Sequence, residues 1–166
     1  MAAEQLMLAV PLKPVQSGEE FAKFPPHITW SPWVEVDSSQ LPALSEELRE
    51  VFSLARRPIV TVGEPVLFGE NETIPARRFE ATAEYNLIVD FPTYAAAHGI
   101  MNAYARQYDG AYMGLSWNSH TSKTPLEEKQ RIVLPDAALF QKGASTGVKR
   151  VIETFPWRTP YDQTTT

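Results

Sequence analysis

The chain has 166 residues with 14 prolines, 8 glycines, 3 histidines and no cysteine, and its 15 Lys plus Arg against 20 Asp plus Glu leave a formal charge of -5. The missing thiols exclude a disulfide framework, thiolate-bound zinc, iron–sulfur clusters and thiol catalysis. The acidic balance excludes a track along duplex DNA, whose affinity rests on clustered Lys and Arg, but it leaves room for a small anionic ligand at one local site.

A chain of this length buries about 68–70% of the surface its unfolded form exposes and needs no staple. We expect one domain over residues 1–160 and a disordered tail over 161–166. The opening run MAAEQLMLAVPLKP has no basic leader and breaks at Pro11. That pattern predicts neither a signal peptide nor a membrane span, and hence a cytoplasmic protein with no membrane partner; a monomer is expected as well.

Taken in chain order, Leu6 to Leu12 reads as a buried strand, followed by a polar segment, Val15 to Lys23, that is either a lid or an ordinary loop. Phe24-Pro25-Pro26 forces an extended entry into a second strand at residues 27–30, because residues before proline avoid the α region. From about Ser39 to Ala55, Leu41, Leu44, Leu48, Val51, Phe52 and Ala55 recur at helical spacing. Ser38 or Ser39 would cap this helix, Pro42 falls in its first turn, and Arg56 and Arg57 would meet the negative end of its dipole.

Strands are then expected at Pro58–Val62, Val66–Phe68, Arg78–Glu84 and Asn86–Phe91. A second helix is expected from Pro92 or Thr93 to Tyr108, with Tyr94, Ala97, Met101, Tyr104 and Tyr108 as its apolar stripe. Further strands follow near Leu115–Ser122, Arg131–Leu134 and Val148–Phe155. This order resembles two α+β half-units laid end to end.

Two of the three histidines carry a hydroxyl residue two positions later: His27-Ile28-Thr29 in PPHITW and His120-Thr121-Ser122 in NSHTSK. On a strand, positions i and i+2 share a face, so each motif presents an imidazole beside a hydroxyl. Cleaving a phosphodiester needs a base for the attacking oxygen, an acid for the leaving oxygen and donors for the non-bridging oxygens. Histidine supplies both protonation states near neutral pH, and Thr29 and Ser122 would donate to the phosphoryl oxygens. The scheme requires neither a metal nor a cofactor.

These motifs resemble those of the 2H phosphoesterase superfamily, which includes the bacterial 2'-5' RNA ligase-like RNA cyclic phosphodiesterases and is marked by two His-x-Thr/Ser motifs. PPHITW matches the first motif closely. The second keeps the spacing and hydroxyl but has Thr121 where an apolar residue is usual, which leaves open whether Thr121 or Ser122 meets the phosphate. The resemblance implies a bilobal, pseudo-symmetric α+β fold of antiparallel sheets, with helices outside and a central cleft. It also implies His27 and His120 as the acid/base pair, with Thr29 and Ser122 on the phosphate.

The substrate class it implies is a small nucleotide or RNA end, as a 2',3'-cyclic phosphate or a 2'-5' linkage, with 2'-5' ligation as a further activity. Two alternatives stay open: a phage-type nuclease that degrades cyclic oligonucleotide defence signals, and a nucleotide- or RNA-binding module that does not cut.

Trp30, Trp33 and Trp117 lie close in sequence to the motif histidines and would either stack a nucleobase or fill the core. Lys123 directly follows the second motif and is a candidate phosphate contact, although on a strand it opposes Ser122. Of Arg77 and Arg78 only one can line a cleft wall. His98, with no hydroxyl two residues on, reads as structural.

Overall fold

The structure, a computed structural model, describes residues 3–22, 25–68, 74–80, 91–106, 118–120, 129–143 and 147–160. Its elements are β1 (Ala3–Pro11), β2 (Glu20–Phe21), β3 (His27–Asp37), a 3-10 turn (Ser38–Gln40), α1 (Leu41–Ser53), β4 (Ile59–Phe68), β5 (Ile74–Glu80), α2 (Phe91–Tyr104), β6 (Asn118–His120), β7 (Arg131–Val133), β8 (Ala137–Lys142) and β9 (Lys149–Phe155). Among the described residues the strands form one sheet in the order β2-β9-β8-β1-β3-β6-β5-β4-β7, and every pairing is antiparallel. This is the expected α+β class.

The half-units are not laid end to end, however. β1 and β3 share a block with β8 and β9 from the far end of the chain, while β4 to β7 form the other block. Hydrophobic patterning predicts which segments are strands but carries no record of which neighbour each will take. The expected strand at Asn86–Phe91 and the tail at 161–166 lie outside the described residues, apart from Phe91 at the start of α2. No helix among the described residues is long and apolar enough to cross a membrane.

Both helices cover the same face. The α1 stripe buries Leu44, Leu48 and Phe52, and α2 adds Ala97 and Met101, against Leu6, Leu8, Val10, Ile28, Trp30, Leu139 and Phe155 of the sheet. Phe52 sits at the centre: its ring stacks on Phe155 at 5.8 Å, meets Trp157 edge-on at 5.0 Å and tilts against Trp30 at 5.2 Å. Fully burying such a side chain stabilises by about 1.5–3 kcal/mol before packing is added. The helices are joined by the Tyr104 hydroxyl, which donates to Glu47. That bond, with some burial and the nearby Glu47 charge, raises the Tyr104 pKa above its usual value.

The start of α1 differs from expectation. Gln40 is the N-cap and its side chain makes no capping bond, while Pro42 does fall in the first turn. Ser38 lies in the preceding 3-10 turn, and its Oγ donates to Glu4 Oε1 at 3.1 Å. The hydroxyl expected to cap the helix thus ties the turn to β1. Arg57, expected on the helix dipole, instead turns inward past the end of α1. It is 6% exposed and donates to the carbonyls of Leu134 and Thr159 and to Asp136.

The opposite face carries a smaller apolar cluster, Met7, Ala9, Ala138, Phe140 and Val151, with Val15, Phe21 and Trp33 packed on it. The segment read as a lid or loop is pinned along the sheet edge. Gly18 N–H donates to Val151 O and Val151 N–H to Glu19 O, both at 2.8 Å, and β2 pairs with β9. Gly18 takes φ +89, the left-handed region that glycine enters without penalty. The described part of this segment is thus hydrogen-bonded to β9 at the edge of the sheet.

Candidate active site

β3 positions the first motif. Pro25-Pro26 holds the chain extended, Leu12 N–H donates to Pro26 O at 2.9 Å, and the strand then pairs with β1, His27 opposite Pro11 and Thr29 opposite Ala9. Ile28 and Trp30 are buried in the helix-side core, so alternation assigns His27 and Thr29 to the other face, where both are half-buried. Their β1 neighbours on that face, Ala9 and Pro11, are small and add no polar group.

His27 is also fixed in orientation. Its Nδ1 lies 2.8 Å from the carbonyl oxygen of Pro25. A carbonyl only accepts, so Nδ1 carries the hydrogen and the neutral ring holds its lone pair on Nε2. The backbone two residues upstream thereby selects the tautomer.

β6 carries the second histidine and is described through its backbone. Ile28 of β3 pairs with Ser119 in antiparallel register. One step out along each strand, the positions of His27 and His120 are level with each other. Directly opposed positions in such a ladder are about 4.5–5.5 Å apart between Cα atoms and share a face. On its other side β6 pairs with β5, Ala76 opposite His120, Arg77 opposite Ser119 and Arg78 opposite Asn118. Trp117, Thr121, Ser122 and Lys123 lie outside the described residues.

The remaining aromatic candidates fall elsewhere. Trp30 is 1% exposed and packed between Phe52 and Trp157, so it has no ring face to offer a base. The stacking role considered for it is replaced by a core role. Trp33 is half-buried in the second apolar cluster with the Lys142 ammonium 5.9 Å from its ring centroid. Six residues of strand separate it from His27, roughly 20 Å, so it does not adjoin the motif. His98, on α2, accepts a 3.1 Å hydrogen bond at Nδ1 from the Asn102 amide, and burial lowers its pKa. That fits the structural role read for it. The role of Arg57 as a buried anchor was missed, since nothing local distinguishes it from Arg56.

No protein-family model matches the sequence, and no curated protein is detectably similar to it. Solved structures are similar. Escherichia coli LigT complexed with 3'-AMP superposes with a TM-score of 0.60 at 11% identity, covering 95% of this chain and 100% of that one. TT0787 of Thermus thermophilus gives 0.57 at 13% identity, covering 95% and 100%. A structure described as a phosphoesterase gives 0.58 at 10% identity, covering 94% and 99%. At such identities the likeness is one of fold. The chain has the LigT-like α+β fold over nearly its whole length, as the two-motif resemblance implies.

Proposed function

We propose that the protein is a phosphodiesterase of the 2H type, acting on a nucleotide ester such as a 2',3'-cyclic phosphate or a 2'-5' linkage. The observation that supports this reading most is the antiparallel register of β3 and β6, in which the two histidine positions come level on neighbouring strands. LigT complexed with 3'-AMP and with NADP+, similar in fold, supports a nucleotide as the substrate class.

In the reaction one imidazole takes the proton of water, whose oxygen forms a bond to phosphorus. The other, as imidazolium, gives its proton to the ribose oxygen as the P–O bond to it breaks. A cyclic phosphate thus opens to a monoester, and the two rings exchange protonation states. His27 acts through Nε2, because its Nδ1 hydrogen is committed to Pro25 O. Thr29 and Ser122 hydroxyls donate to the non-bridging oxygens and hold phosphorus between the rings.

The test is turnover of 2',3'-cyclic nucleotides, 2'-5' oligonucleotides and cyclic dinucleotides with EDTA present. His27→Ala and His120→Ala should each lower kcat about 10²–10⁴-fold. Full activity in both variants overturns the assignment. Binding of these ligands by the unaltered protein without any product favours a binding module instead.

A further inference from the structure

Arg77 and Arg78 are consecutive on β5, so the two occupy opposite faces of the sheet. The ladder decides which is which. Ile28 is buried on the helix side; its partner Ser119, and Ser119's partner Arg77, share that face. Phe79 falls in the same set, opposite buried Val62. Alternation then leaves Ala76 and Arg78, with Asn118 and His120, on the helix-free face that carries His27 and Thr29.

A second feature marks the same position. β4 pairs Val62 with Phe79 and Pro65 with Arg77, so two residues, Gly63 and Glu64, oppose the single residue Arg78. Such a bulge bends its strand and re-aims the local backbone, and bulges concentrate beside functional sites.

We propose that Arg78 is the cation that holds the phosphoryl group of the substrate, supplied to the histidine pair from the strand beyond β6. The inference rests on the phosphodiesterase reading above. Arg78 stands one strand over and two residues along from His120, a diagonal placement in which positions lie about 7–8 Å apart. The position directly opposite His120 is Ala76, so Arg78 is the nearest cationic position on that face of β5.

A fixed cation would strengthen the chemistry. A phosphodiester brings one negative charge, and attack on phosphorus concentrates charge on the non-bridging oxygens, where hydroxyl donors add no compensating charge. A guanidinium donates two parallel hydrogen bonds to that pair of oxygens and stays protonated at every working pH. Glu64 and Glu80 stand near Arg78 in the ladder, so the competing role is a structural ion pair on β5.

Steady-state kinetics on the ester that the protein turns over separates these. Arg78→Ala should lower kcat/KM about 10- to 100-fold, the size of a lost charge-assisted bond pair, with the pH profile of the histidines unchanged in shape. Arg78→Lys should recover part of the loss, and Arg77→Ala should stay within about threefold of the original protein. Product inhibition by a nucleoside 3'-monophosphate should weaken in Arg78→Ala by a similar factor. If His27→Ala abolishes turnover while Arg78→Ala keeps kcat/KM and loses only thermal stability, this proposal is overturned and the function stands. If His27→Ala and His120→Ala both retain full activity, or the protein neither binds nor cleaves any of the esters, the functional reading falls and takes the role of Arg78 with it.

Discussion

Arg57→Ala should be among the most destabilising single substitutions outside the apolar core. The guanidinium donates through Nη1 to Leu134 O at 2.8 Å, through Nε to Thr159 O at 3.0 Å and through Nη2 to Asp136 at 2.8 Å. Its side chain is 4% exposed, whereas that of Asp136 is 32% exposed. Hydrogen bonds to a charged donor contribute about 1.5–3 kcal/mol each, and the half-exposed ion pair adds under about 1 kcal/mol. Two orphaned carbonyls, partly rehydrated through the space left by the side chain, give a loss of about 3 kcal/mol. For a domain of this size that lowers Tm by roughly 6–12 °C. Urea denaturation followed by circular dichroism measures it directly, with the midpoint falling and the m-value unchanged. Asp136→Asn should cost less than about 1 kcal/mol. A loss below about 1 kcal/mol in Arg57→Ala, or an equal loss in Asp136→Asn, would refute the claim that the carbonyls, rather than the ion pair, are what Arg57 secures.

Trp30→Ala should cost about 3–5 kcal/mol by opening a cavity beside Phe52 and Trp157, read as a drop in the urea midpoint; unchanged stability would show that Trp30 is not the core residue described. His98 contributes a pH-dependent term whose sign is set by its lowered pKa. Its folded value lies below 6.5, so the unfolded chain takes up the proton first as pH falls. The stability it contributes is complete above about pH 6.5 and is lost as pH drops through the folded value. His98→Gln should flatten that acid slope below about pH 6.5, and a steeper slope in the variant would contradict the sign.

How far the sequence carries depends on the range of the interaction. The α1 stripe was legible because apolar residues recurring at helical spacing leave few alternatives, and Leu44, Leu48 and Phe52 are buried accordingly. The pairing of His27 with Thr29 on one face followed from strand period alone. Strand β8 was not predicted: its AALF run is too short and too rich in alanine to announce a strand, and it is one because β1 and β9 flank it. The two segments expected at Pro58–Val62 and Val66–Phe68 are one strand interrupted by the bulge at Gly63 and Glu64. The inward turn of Arg57 depends on acceptors contributed by Leu134, Asp136 and Thr159, each more than seventy residues away. No local pattern encodes such a meeting.

The central place of β1 has a consequence for how the chain is made. β1 is flanked by β3, which follows it closely, and by β8, which begins at Ala137. A ribosome adding about 5–20 residues per second delivers β8 roughly 6–25 seconds after β1 has been made. Throughout that interval the backbone of Leu6 to Ala9 presents an open hydrogen-bonding edge on an uncharged apolar run, the kind of segment that recruits other chains. The consequence we expect is that chains ending before Ala137 aggregate more readily than chains that include β8.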